Sequence, residues 1–167
     1  MLDKEYNTTQ WTHVYTDGSA EQAIKNGGSG IYIQLPTGEN ISKSLPTEKL
    51  STKYRAEQIA LLEAVNIFSI LAGLDTHLFF LTDCKSVLET VMSPAKTNTS
   101  GALQRALSQL SQTRTIALQW IPSHCDISGN EEADRLSKAG SKRQQLRHPI
   151  SYPEAKTLIQ YKLRQEW

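Results

Sequence analysis

The sequence predicts an α/β fold built on one mixed sheet, antiparallel in its first strands and parallel in its later ones, with helices on its faces. Three observations carry this. Three strand-like runs stand near the start of the chain with no helix between them. Helical and strand-like segments alternate from residue 51 onward, the pattern of right-handed βαβ crossovers. One of the later runs is apolar without alternation, as expected of a parallel strand covered on both sides.

Residues 11–17, WTHVYTD, alternate in the manner of a strand that ends in Asp17 and a glycine turn. GSGIYIQL (28–35) and NISKSL (40–45) read as two further strands, joined into a hairpin by PTGE. Residues 51–72 carry helical periodicity, and Gly73 is placed to stop it. HLFFLTD (77–83) is the unbroken apolar strand. CKSVLETVM (84–92) makes a short helix closed by Pro94, PAKTNTSG (94–101) a polar loop, and residues 102–112 another helix. TIALQWI (115–121) is the last strand and residues 129–139 the helix after it. The tail holds two prolines and an amphipathic run from Ala155 to Leu163, which either packs as a last helix or begins a further segment.

A chain of 167 residues supports one domain with a real core. With 38% hydrophobic and 21% charged residues it is an ordinary globular composition, not a disordered one. The longest apolar run, IFSILAGL, is far too short for a membrane span, so no membrane partner is expected. The first ten residues lack the basic-then-apolar order of a secretory signal, and two cysteines without CxxC spacing suit free thiols in a reducing, intracellular compartment, nucleus or cytoplasm. A formal net charge of +1 gives no global attraction for phosphate, so any nucleic-acid contact must be local.

The acidic residues are the chemical signal. Ala60, Leu61, Ala64, Ile67, Phe68 and Leu71 form one helical stripe, and one turn back on that stripe stands Glu57. Either it is wetted at the sheet rim and favoured by the helix dipole, or it is a buried charge in need of a partner. Asp17 and Asp83 each end an expected strand, where Asp is also a common helix cap. If those strands are parallel neighbours, the two carboxylates stand about 5 Å apart and repel by about 3 kcal/mol at an effective dielectric near 20. No Lys or Arg is close enough in sequence to suggest a built-in partner for all three acids. A cation from outside is then required, and oxygen-only ligands select Mg²⁺ or Mn²⁺.

WIPSHCDISGNEEADRLSKAG (120–140) adds a second acidic cluster. Ser128 and Glu131 match the S-x-x-E capping box, which gives Glu131 a structural duty and leaves Glu132 as solvated compensation of the helix dipole. Asp134 lies one turn deeper and can approach the Asp17/Asp83 edge from the far side. His124 and Cys125 have no further soft ligands spaced to make a zinc site.

YTDGS (15–19), RAEQIALLEA (55–64), LTDCKSVLE (81–89) and the 120–140 stretch, in that order, resemble type 1 ribonuclease H. The wording is most similar to the domains of reverse-transcribing elements, non-LTR retrotransposons in particular, which would make a covalently linked reverse transcriptase a partner. The resemblance implies a five-stranded ribonuclease H-like sheet with the first and fourth strands adjacent. It implies cutting of the RNA strand of an RNA–DNA hybrid to leave 5′-phosphate and 3′-hydroxyl ends. It implies two Mg²⁺ ions, with Mn²⁺ as substitute, held by Asp17, Glu57, Asp83 and Asp134: Asp17 bridging, Glu57 and Asp83 on the leaving-group side, Asp134 on the water side. His124 falls on the family's mobile-loop histidine, which relays a proton and assists product release. Gly18, Ser19, Glu57 and Gln58 become candidates for reading 2′-hydroxyls, and Arg55 pairs either with a phosphate or with a nearby acid.

The chain departs from cellular members in carrying Lys53 and Tyr54 where they have asparagine-type residues. It also lacks an aromatic, basic protrusion in SPAKTNTSG. Both departures weaken the expectation of tight stand-alone hybrid binding. The expected organisation is an N-terminal arm at 1–10, a catalytic domain at 11–141 and a C-terminal extension at 142–167. The competing readings are another nuclease or strand-transfer enzyme of the same fold, and an inactive nucleic-acid-binding module.

Overall fold

The structure is a computed structural model and describes residues 5–70, 77–93, 100–123 and 126–165. Five strands, β1 (Thr12–Glu21), β2 (Lys25–Gln34), β3 (Asn40–Pro46), β4 (His77–Thr82) and β5 (Thr115–Trp120), form one sheet in the order β3-β2-β1-β4-β5. β1, β2 and β3 pair antiparallel; β4 pairs parallel with β1 and with β5. The described helices are α1 (Lys53–Ile70), α2 (Lys85–Met92), α3 (Ser100–Leu110), α4 (Ser128–Ser141) and α5 (Tyr152–Gln165). The mixed sheet therefore has the antiparallel-then-parallel order that the alternation of elements implies. None of the described helices is long and apolar enough to cross a membrane.

Alternation along the strands divides the core in two. Val14, Ile31, Ile33, Leu78 and Phe80 meet α1, α2 and α3 on one face, through Ala60, Leu61, Ala64, Phe68, Val87 and Leu103. Tyr15, Phe79 and Leu81 meet Ile121 and Ala133 on the other, under α4. Leu78, Phe79, Phe80 and Leu81 are all buried, so β4 is covered on both sides as its unbroken apolar run required. In α1 the stripe from Ala60 to Phe68 is buried apart from Ile67, which is half-buried, and Val65 joins it; Leu71 and the Gly73 stop lie outside the described residues.

Three expectations need correction. β1 does not end at Asp17: it continues to Glu21, pairing Asp17 with Gly30, Gly18 with Ser29 and Ser19 with Gly28 before a bulge. A Gly in mid-strand usually marks a close backbone approach, and Gly18 serves that purpose here. The S-x-x-E sequence at Ser128 does not cap α4, because Ile127 is the cap residue and makes no side-chain capping bond; Ser128 is already inside the helix. A Ser–Glu contact of that spacing occurs instead at α5, where the Ser151 amide and hydroxyl both donate to Glu154 Oε2 at 3.1 and 2.6 Å, the carboxylate half of such a box. α3 begins at Ser100, two residues before the expected start, and residues 94–99 of the expected loop lie outside the described part.

α4 lies directly on the hairpin. A β-carbon at Gly28 or Gly30 would collide with the backbone of Ser137 or Ala133, so two glycines in β2 let the helix sit against the sheet with no side chain between. That close packing sets how far α4 side chains reach toward the β1 edge.

Candidate active site

The parallel ladder between β1 and β4 stops at Thr16 and Thr82. Asp17, still within β1, and Asp83, the residue just past β4, come next, so the topology alone puts them side by side. Asp17 shares the face of Tyr15 and meets α4, where the Ser137 hydroxyl donates to its Oδ2. Asp83 is steadied from the end of β5 and the residues after it: the Ser123 hydroxyl donates to Oδ2 at 2.7 Å and the Trp120 indole N–H to the Asp83 carbonyl at 3.1 Å. Glu57 comes from the first turns of α1. Gly18 permits this, because a β-carbon there would strike the Glu57 amide and the Ala56 carbonyl carbon. One carboxylate oxygen from each of Asp17, Glu57 and Asp83 falls within 4.8 Å of the others.

Burial makes this cluster electrostatically uncomfortable. Glu57 is fully buried, which excludes the wetted-rim alternative for it. Neither of its carboxylate oxygens has a hydrogen-bond partner among the described residues, and Asp83 Oδ1 likewise has none. Burial raises the Glu57 pKa well above the ordinary range, and the charges of Asp17 and Asp83 push it further; Lys53 and the Gly18 amide, which faces it without reaching hydrogen-bond geometry, offset part of this. Burial likewise raises Asp17 to about 6, against the lowering effect of Ser137 and Lys53 and with smaller upward pushes from Asp83 and Asp134. Buried, hard oxygen donors whose hydrogen-bonding capacity is not filled, as at Glu57 and Asp83 Oδ1, are what a divalent cation needs, and with Asp17 these residues fit one.

The expectation that no basic residue serves all three acids is wrong. Lys53 Nζ lies 3.7 Å from Asp17 Oδ1, 3.6 Å from Glu57 Oε1 and 3.9 Å from Asp83 Oδ1. Partial burial alone would lower the Lys53 pKa, but Asp17, Glu57 and Asp83 together raise it. The i,i+4 spacing to Glu57 was the visible clue. Its relation to Asp17 and Asp83 depends on strand adjacency, which no local pattern displays.

The RNase H family model matches residues 9–142. The chain belongs to the ribonuclease H family. Among solved structures it is similar to ribonuclease H1 of the halophilic archaeon Halobacterium salinarum, with a TM-score of 0.63 and 19% identity over 78% of this chain and 96% of that one. It is also similar to the N-terminal ribonuclease H domain of a Mycobacterium tuberculosis protein, solved as a fusion with maltose-binding protein, with a TM-score of 0.61 and 19% identity over 89% of this chain and 98% of that one. At that identity these structures speak for the fold. It is the ribonuclease H-like one.

Within this ribonuclease H domain the other nominated residues are placed as follows. Asp134 stands close enough for its charge to act on Asp17, yet outside the tight group of three, with Lys138 bonded to its Oδ2 at 2.6 Å. Ser137, three residues on, makes the direct contact to Asp17 and was missed, although the i,i+3 relation to Asp134 marks the same helix face. Glu132, read as a solvated acid, holds Arg135 through two bonds of 2.9 and 2.6 Å. Ser19 donates weakly to the Gly28 carbonyl at 3.5 Å. Arg55 pairs with Glu48 at 3.2 Å, the nearby-acid alternative, and Gln58 donates to the Tyr54 hydroxyl at 3.1 Å. Arg55 and Gln58 both line a cavity of about 270 Å³ walled on its far side by Ser151, Pro153 and Glu154 at the start of α5. His124 and Cys125 lie outside the described residues.

Proposed function

We propose that this domain hydrolyses the RNA strand of RNA–DNA hybrids endonucleolytically, leaving 5′-phosphate and 3′-hydroxyl ends, with two Mg²⁺ ions for which Mn²⁺ can substitute. The observation that carries the reading is the meeting of Asp17, Glu57 and Asp83 in a buried group whose Glu57 and Asp83 oxygens lack partners. Asp17, Glu57, Asp83 and Asp134 would hold the ions, which when bound supply an activated water and stabilise the pentavalent phosphorus and the leaving oxygen.

The protein's own work is positioning and exclusion. Ser137 fixes the Asp17 carboxylate, and Ser123 fixes that of Asp83, so neither rotates away from the shared point. Glu57 is held at the buried end by the contact between α1 and Gly18, where water cannot solvate it. His124, which falls between β5 and α4 in the sequence, would accept or relay the proton and help product leave. Backbone groups of Gly18 and Ser19, with the side chains of Glu57 and Gln58, are the candidates for distinguishing RNA from DNA through the 2′-hydroxyl. Phosphate contact beyond the site has a candidate in a cleft of about 520 Å³ bordered by Lys49, Lys142, Arg143 and Arg147. It opens beside Glu21, four residues and about 13 Å along β1 from Asp17. The wording of the four motifs supports an origin in a retroelement polyprotein beside a reverse transcriptase.

The test is side-by-side digestion, in Mg²⁺, of an end-labelled RNA–DNA hybrid, the same sequence as duplex DNA, and the same sequence as duplex RNA. Cutting confined to the RNA strand of the hybrid is the expected result. Nicking or joining of duplex DNA would assign the domain to a different activity on this fold.

A further inference from the structure

Lys53 projects into the middle of the acidic cluster. Its ammonium is nearly equidistant from one oxygen of each carboxylate, at 3.6, 3.7 and 3.9 Å. Those separations are too long for hydrogen bonds, so the ammonium is bonded to none of the three and attracted by all of them. Two of the oxygens it faces, Glu57 Oε1 and Asp83 Oδ1, have no hydrogen-bond partner among the described residues. The side chains of Asp17 and Glu57 are 3% and 0% exposed, whereas that of Lys53 is 57% exposed. The cation therefore enters from the solvent side on a flexible stem and can withdraw without disturbing the core.

We propose that Lys53 is a tethered counter-ion that occupies the divalent-metal position in the metal-free protein and must be expelled before a metal ion binds, so that it sets the metal affinity of the site. The inference rests on reading the acidic cluster as the metal site. An ammonium and a divalent ion cannot share the same few ångströms, since each repels the other while drawing on the same three oxygens. The apparent dissociation constant is then the intrinsic one divided by the fraction of molecules in which the ammonium has left. The tethered charge has a second effect. It keeps three crowded carboxylates tolerable when no metal is present, which explains how they remain together around a common point.

The decisive variant is Lys53→Met, which keeps the length of the stem and removes the charge. Mn²⁺ is titrated calorimetrically into the full chain without nucleic acid, and melting is followed separately in EDTA. Lys53→Met is expected to bind Mn²⁺ about tenfold more tightly than wild type, to melt at a lower temperature in EDTA, and to gain more from Mn²⁺. Lys53→Gln provides the same readouts should the Met variant fail to fold. Lys43→Met, which removes an exposed β3 Lys paired with Glu63 of α1, controls for net charge and is expected to leave Mn²⁺ affinity unchanged. Equal or weaker Mn²⁺ binding by the Lys53 variants would overturn the proposal. If wild type still cleaves hybrid in Mn²⁺ under that outcome, only the role of Lys53 falls; if neither protein takes up Mn²⁺ and hybrid stays intact, the metal reading falls with it.

Discussion

Asp17→Asn is expected to lower hybrid cleavage by at least about a thousandfold, the scale of losing a central electrostatic group, while the metal-free protein becomes more stable than wild type. Both effects have one cause. The carboxylate stands where β1 and β4 part, buried, hydrogen-bonded by Ser137 and crowded by Asp83 and Asp134. Asn keeps the shape and an acceptor for the Ser137 hydroxyl but cannot supply the charge a divalent ion requires. The stability gain follows from linkage. A carboxyl raised from 3.8 to about 6 holds its proton more tightly in the folded chain than in the unfolded one. Its contribution to stability is complete below the lower value and is lost as pH rises through the upper one. At pH 7.5 the wild type therefore bears a penalty of order 3 kcal/mol that the variant lacks, or roughly 9 °C in melting temperature in EDTA. The difference should narrow at pH 5. Unchanged cleavage by Asp17→Asn would remove Asp17 from the mechanism, and an EDTA melting point below wild type would contradict the electrostatic account of its burial.

Gly18→Ala is expected to destabilise the fold by about 2–3 kcal/mol and, more tellingly, to impair the site even in the molecules that remain folded. The added methyl would meet the amide of Glu57 and the carbonyl carbon of Ala56, which are backbone atoms and cannot rotate aside. Relief requires the first turns of α1 to lift off β1, carrying Glu57 and Lys53 away from Asp17. Urea denaturation of the metal-free protein reads the first effect. Hybrid cleavage measured well below the denaturation midpoint reads the second. A variant with reduced stability and full activity would show that the close approach at Gly18 serves packing alone.

The sheet was legible because its signals are local. Leu78, Phe79, Phe80 and Leu81 in succession admit few alternatives to a strand covered on both sides, and Pro36 to Glu39 mark a turn wherever they stand. The errors came from residues with two possible meanings. Gly18 after Asp17 resembles a turn signal, but it lies in a continuous strand and makes room for α1. Ser128 and Glu131 have capping-box spacing, yet the helix starts a residue earlier than that motif needs; Ser151 and Glu154, with the same spacing, form the half in which the Glu carboxylate accepts from the Ser amide. The meeting of Asp17 and Asp83 could be argued in advance because parallel neighbours put their strand ends together. The arrival of Lys53 could not, since a long flexible side chain chooses its partners in three dimensions. Arg55, for which the sequence left two partners open, meets Glu48, seven residues earlier in the segment before α1.

The central claim, that buried carboxylates from three separate elements are gathered to hold a divalent cation, is tested most directly by calorimetric titration of Mg²⁺ into the full chain at pH 7.5 and pH 5.5, beside Asp17→Asn. The ligand carboxyls must be deprotonated to bind metal, and Asp17 titrates at about 6. The account predicts Mg²⁺ uptake with proton release by the wild type, at least about fourfold weaker at the lower pH, and none by the variant. Absence of uptake by the wild type at pH 7.5, or uptake that survives Asp17→Asn unchanged, would contradict it.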